Sequence, residues 1–102
     1  MTERREARRA QLALACTLSR AAGSPVWVET IDVGEGGMAV RATRPLRPDE
    51  VVEFDLEAAD EHVVGRARVM RHNSPRVYGL RFEALREPMR ERLRDLVGVR
   101  QA

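Results

Sequence analysis

Two short stretches of this chain carry residue types that could hold a ligand. Arg4-Arg5-Glu6-Ala7-Arg8-Arg9 lies at the start, and Asp32-Val33-Gly34-Glu35-Gly36-Gly37 follows about two dozen residues later. Guanidinium groups grip phosphates bidentately and stack on flat bases. A carboxylate accepts hydrogen bonds from the amide-like edge of a guanine. Glycines let backbone N–H groups close on a phosphate with no Cβ in the way. Together the two stretches suit a small, doubly anionic ligand that carries a purine. Each also has an ordinary reading: an Arg-rich end is often a solvated tail, and Asp and Gly gather in tight turns between strands.

The elements that would position these residues are mostly strands. In segment 10–19, Leu12, Leu14, Cys16 and Leu18 alternate with small or polar residues. That period of two predicts a strand although Ala, Leu, Gln and Arg favour helix by propensity. Ala21 to Pro25 is a turn. Val26 to Ile31 is β-branched and aromatic, hence a strand, which the Asp-Gly segment breaks; Met38 to Arg41 resumes as a short one. Arg44 to Asp49 holds two prolines and reads as a loop. Val52, Phe54 and Leu56 alternate with Glu53 and Asp55. Residues 62–72 and 77–82 form a further pair joined through Asn73-Ser74-Pro75. Leu85, Met89, Leu93, Leu96 and Val97 recur on one helical face, with Pro88 in the first turn and Gly98 as the stop. The expectation is all-β: a six-stranded antiparallel barrel over residues 10–83 with a C-terminal helix over 85–98, preceded by an arm over residues 1–9.

Composition narrows the function. A chain of 102 residues is one domain. Cys16 is its single cysteine, so no disulfide framework or cysteine metal site is expected, and a reducing cytoplasm fits. No apolar run approaches the roughly eighteen residues of a membrane span, and charge from residue 3 onward is unlike a secretory signal. The net charge of +2 is small. All eighteen basic residues are Arg, so only clustered Arg counts as a signal. His62 and His72 lie on one strand with no carboxylate or thiol at metal spacing, and read as surface histidines. Arg66, Arg68 and Arg71 read as a solvated face, with Arg71 or His72 able to border a pocket. Cys16 and Trp27 read as packing residues. No nucleophile–base arrangement, Walker loop or paired-carboxylate cleft is present, so no enzyme and no cofactor is expected.

The same residues carry a family resemblance. Arg4-Arg5-x-x-x-Arg9 resembles the RRxxxR element of the PilZ domain, a bacterial receptor for cyclic di-GMP. Asp32-x-Gly34-x-x-Gly37 is similar to that family's (D/N)xSxxG element, with Gly34 where the family usually has Ser. Tyr78-Gly79-Leu80-Arg81-Phe82 resembles the last strand of such domains. The resemblance implies a six-stranded barrel with a C-terminal helix. It also implies that Arg4, Arg5 and Arg9 grip phosphates and stack on guanine, that Asp32 accepts from guanine N1–H and N2–H, and that backbone N–H groups around Gly34 to Gly37 face a phosphate. The ligand so implied is cyclic di-GMP. Its binding would order the arm and change the surface offered to a protein partner. Two other readings stand beside this one. The first is a PilZ-like adaptor that has lost the nucleotide and acts by protein contacts, which the Ser-to-Gly departure favours. The second is a small barrel for RNA or single-stranded DNA, against which the four aromatic residues count, because such sites need stacking platforms.

Overall fold

The computed structural model describes residues 9–101. Along the chain run β1 (Arg9–Ala10), β2 (Ala15–Arg20), β3 (Val26–Gly34), β4 (Gly37–Ala42), β5 (Val51–Ala58), β6 (Glu61–Ser74), β7 (Val77–Ala84) and α1 (Glu87–Gln101). All strand pairings are antiparallel, in the order β1-β3-β2-β5-β6-β7-β4, and a further β3–β4 pairing joins the ends. Strands β2 to β7 therefore close into a six-stranded barrel, and β1 is an extra strand laid along the far end of β3.

Alternation along each strand fills the interior. Cys16 and Leu18 from β2, Val26 and Val28 from β3, Val40 from β4, and Val52, Phe54 and Leu56 from β5 all point inward, each at most 5% exposed. Fully burying one such aliphatic side chain contributes about 1.5–3 kcal/mol, so this set supplies the main driving force for closure. The Phe54 and Phe82 rings pack 5.0 Å apart. Burial pushes the Cys16 thiol up to about 12, which leaves it protonated and inert.

Leu46, in the two-proline loop, packs into the core, and its N–H donates to the Tyr78 hydroxyl at 3.1 Å. Arg20 fixes the base of that loop with two hydrogen bonds to Glu50, at 2.6 and 2.9 Å. The Arg47 N–H donates to the same carboxylate at 3.0 Å. Helix α1 buries Leu93 and Val97 completely, and it packs against β1, β3 and β6. The helix thus braces the strand that carries Arg9.

Four sequence expectations change. The expected strand over 10–19 is interrupted: residues 11–14 lie outside the ladder, between β1 and β2. Strand β3 does not break at the Asp-Gly segment but runs through Asp32 to Gly34, leaving only Glu35-Gly36 as the turn. Trp27 is 60% exposed and is not a packing residue, because it occupies an outward position of the β3 alternation. Gly98 does not stop the helix, which continues to Gln101. A glycine stop needs a positive φ; among the described residues, Gly23 is the glycine that has one.

Candidate ligand-binding site

The two sequence motifs meet on β3. Arg9 pairs in register with Gly34, and Ala10 with Val33. The Arg9 guanidinium donates from Nε to Asp32 Oδ1 at 3.0 Å, and Nη2 donates to the same oxygen. A residue of the Arg-rich stretch and the carboxylate of the Asp-Gly stretch, 23 positions apart, are therefore in direct contact. Arg4 and Arg5 lie outside the described residues.

Asp32 reaches the outer surface because of a bulge. Val26, Val28 and Thr30 point inward at every second position, so uninterrupted alternation would turn Asp32 inward as well. The β3–β4 register shifts between Thr30 and Asp32, leaving Ile31 as an extra residue. A single inserted residue exchanges the two faces of a strand. Val33 then takes the inward place, and Asp32 stays half-buried beside Arg9.

Thr30 secures the other side of this junction. It is 2% exposed, yet its polar groups are satisfied. Its hydroxyl donates to the Leu12 carbonyl and accepts from the Leu14 N–H at 2.8 Å, while its own N–H donates to the Leu14 carbonyl at 2.9 Å. These bonds replace the missing ladder over residues 11–14 and hold β1 in place. Sequence reasoning did not single out Thr30. The available signal was a hydroxyl at an inward position of an otherwise apolar alternation, where a buried polar group requires a partner.

The glycines have different duties. Gly37 pairs with Arg81 on β7, and a Cβ there would come within 2.2 Å of the Leu80 carbonyl oxygen. Only glycine permits that approach. The turn is tied down further by Phe82, whose N–H donates to the Gly36 carbonyl at 2.9 Å. Gly34 is buried, and its φ is not positive, so its backbone conformation is open to other residues.

Other charged residues take structural parts. His62 and Asp55 form an exposed pair at 2.6 Å, and that hydrogen bond holds the imidazole above its usual pKa. Arg68 donates to Glu83 at 2.5 Å and lowers the Glu83 carboxyl below its usual range. A concavity of about 620 Å³ is lined by Glu53, Val64, Gly65, Arg66, Glu83 and Leu85 among others; it includes none of the motif residues. Among the described residues no group of three or more His, Cys, Asp or Glu could hold a metal ion, and no helix is long and apolar enough to cross a membrane.

With this geometry in view, comparison with known protein families matches residues 3–98 to the PilZ domain. The chain belongs to the PilZ family. Among solved structures it is similar to the inhibitor of motility MotI/DgrA of Bacillus subtilis, at 18% identity and a TM-score of 0.82, covering 97% of this chain and 52% of that one. The chain thus spans about half the length of that relative. It is also similar to the PilZ domain of YcgR from Escherichia coli, solved with cyclic di-GMP, at 13% identity and a TM-score of 0.80, over 97% of this chain and 92% of that one. The PilZ domain of CeSA from a cellulose-synthesizing bacterium matches at 20% identity and a TM-score of 0.72, over 92% and 98% of the two chains. No curated protein matches the sequence.

Proposed function

We propose that this domain is a cyclic di-GMP receptor that signals to a partner protein through ordering of its N-terminal arm. The observation that carries the reading is the Arg9–Asp32 contact, which brings the two ligand motifs together on one wall of the barrel. Membership of the PilZ family and the ligand in the YcgR structure support it.

The chemistry divides among the named residues. Arg4, Arg5 and Arg9 supply guanidiniums for the phosphates and the guanine faces. Arg9 Nε and Nη2 both donate to Asp32 Oδ1, so Oδ2 can accept from a guanine edge. The Gly34 to Gly37 backbone offers N–H groups to a phosphate. Arg9 is 45% and Asp32 29% exposed, and an exposed ion pair contributes only about 0–1 kcal/mol. A ligand can therefore rearrange it at small cost. No catalytic step is required.

Calorimetric titration with cyclic di-GMP, beside cyclic di-AMP and GTP, tests the reading. Binding of cyclic di-GMP alone is expected. Ligand at a hundred times its Kd adds about 2.7 kcal/mol of stability, a rise in melting temperature of order 10 °C for a domain of this size. Replacing Arg4, Arg5 and Arg9 together with Ala should abolish binding and leave the free protein's melting nearly unchanged. No binding and no shift at millimolar cyclic di-GMP would favour the nucleotide-free adaptor, the reading to which Gly34 in place of Ser points.

A further inference from the structure

We infer that Arg81 is a second anchor for the anionic ligand, gripping it from the β7 side of the motif glycines while Arg9 grips it from the β1 side. The inference rests on the cyclic di-GMP reading of this wall and adds a residue that neither motif contains.

The strand register carries it. Asp32 pairs with Ala39 and Val33 with Met38, so Gly34 and Gly37 face each other at the end of the hairpin. Arg9 pairs with Gly34 on one side; on the other, Gly37 pairs with Arg81 and Arg81 with Arg68. A single row across five strands therefore reads Arg9, Gly34, Gly37, Arg81, Arg68. Their neighbours Ala10, Val33, Met38, Leu80 and Val69 point into the core, which turns the whole row outward. The adjacent row reads Asp32, Ala39, Gly79. The result is a strip of Gly34, Gly37, Ala39 and Gly79 with little or no side chain, in which the two motif glycines are buried and Ala39 and Gly79 half-buried, with an exposed arginine on either flank. Three strand spacings of about 4.8 Å separate the Arg9 and Arg81 backbones by roughly 14 Å.

Two further observations give Arg81 a defined place and a charge to offer. The Asp-Gly turn is seated directly on it: a Cβ on Gly37 would come 3.3 Å from Arg81 Cα, and the next residue's N–H holds Gly36. Its nearby carboxylate is already taken. Arg68 donates to Glu83 from Nε at 2.5 Å and from Nη2 at 3.4 Å, whereas Arg81 Nη2 stands 3.6 Å away with its side chain 58% exposed. Two guanidiniums share one carboxylate, and Arg81 is the more loosely held. A phosphate oxygen is a stronger partner for it than a carboxylate that Arg68 already occupies.

The test is calorimetric titration of cyclic di-GMP into wild type, Arg81→Ala, Arg81→Lys and Arg94→Ala, with melting curves of the free proteins. Arg94 is exposed on α1 and controls for the loss of one positive charge. Arg81→Ala should bind about ten- to a hundredfold more weakly, the loss expected for one charged hydrogen-bonding contact. Arg81→Lys should fall between, because a point charge lacks the planar fork. Arg94→Ala should bind like wild type, and free Arg81→Ala should melt like wild type. An Arg81→Ala protein that binds as tightly as Arg94→Ala overturns the inference and leaves the receptor reading intact. A parallel fall in melting temperature makes Arg81 structural, which also overturns it. Wild type that does not bind removes the receptor reading and this inference together.

Discussion

Two Arg–carboxylate pairs in this barrel use the same chemistry to opposite ends. Arg20–Glu50 joins β2 to the two-proline loop; both side chains are 15% exposed, each carboxylate oxygen has a donor, and the Arg47 N–H adds a third bond. Arg9–Asp32 joins the two-residue β1 to the bulged end of β3, is more exposed, and concentrates both bonds on one oxygen. Desolvation and a complete donor set make the first pair costly to break. Solvent screening makes the second cheap to rearrange. The difference separates a sheltered ion pair that ties a loop to the barrel from an exposed one that contributes little to stability.

Single substitutions should separate the two pairs most sharply. Arg20→Ala leaves a half-buried Glu50 without its partner and should cost about 1–3 kcal/mol, a fall in melting temperature of order 10 °C, with cyclic di-GMP affinity of the folded protein unchanged. Arg9→Ala should do the reverse, weakening binding about ten- to a hundredfold while the melting curve hardly moves. If both variants lose stability equally, the contrast between the pairs is wrong.

Acid should act on the first pair next. The Arg20 hydrogen bond lowers the Glu50 carboxyl below its ordinary value of 4.5. A depressed carboxyl binds its proton more readily in the unfolded chain. Its contribution is therefore complete above pH 4.5 and is lost as pH falls through the lower folded value. Urea unfolding followed from pH 6 to pH 3 should show that loss in wild type and a shallower slope in Glu50→Gln. Identical slopes would mean that Glu50 is not held by Arg20 in solution.

The smallest effect sharpens the second region. Gly34 has no positive φ, so Gly34→Ser carries none of the left-handed backbone strain that a side chain meets there. A serine would return the hydroxyl of the family pattern. Titration should show binding tightened several-fold, with unliganded melting close to wild type. Weaker binding together with lower melting would mean that the buried Gly34 has no room for a Cβ.

Local pattern made much of this molecule legible. The alternation of Val52, Phe54 and Leu56, the prolines of residues 44–49 and the helical spacing of Leu85 to Val97 each report one element, because period and turn chemistry are properties of neighbouring residues. They identified the barrel and its helix before any pairing was known. The motif residues Arg9, Asp32, Gly34 and Gly37 were legible too, as residue types at a spacing. What the sequence could not express is which strand edge meets which. The Ile31 bulge that turns Asp32 outward and the Thr30 bonds that replace a ladder over residues 11–14 both depend on contacts with other parts of the chain. The row that lines up Arg9 with Arg81 depends on three separate pairings, β1 with β3, β3 with β4 and β4 with β7. Such pairings join residues far apart in the chain, so the residue types were settled by sequence, while their meeting on one wall was decided only when the barrel closed.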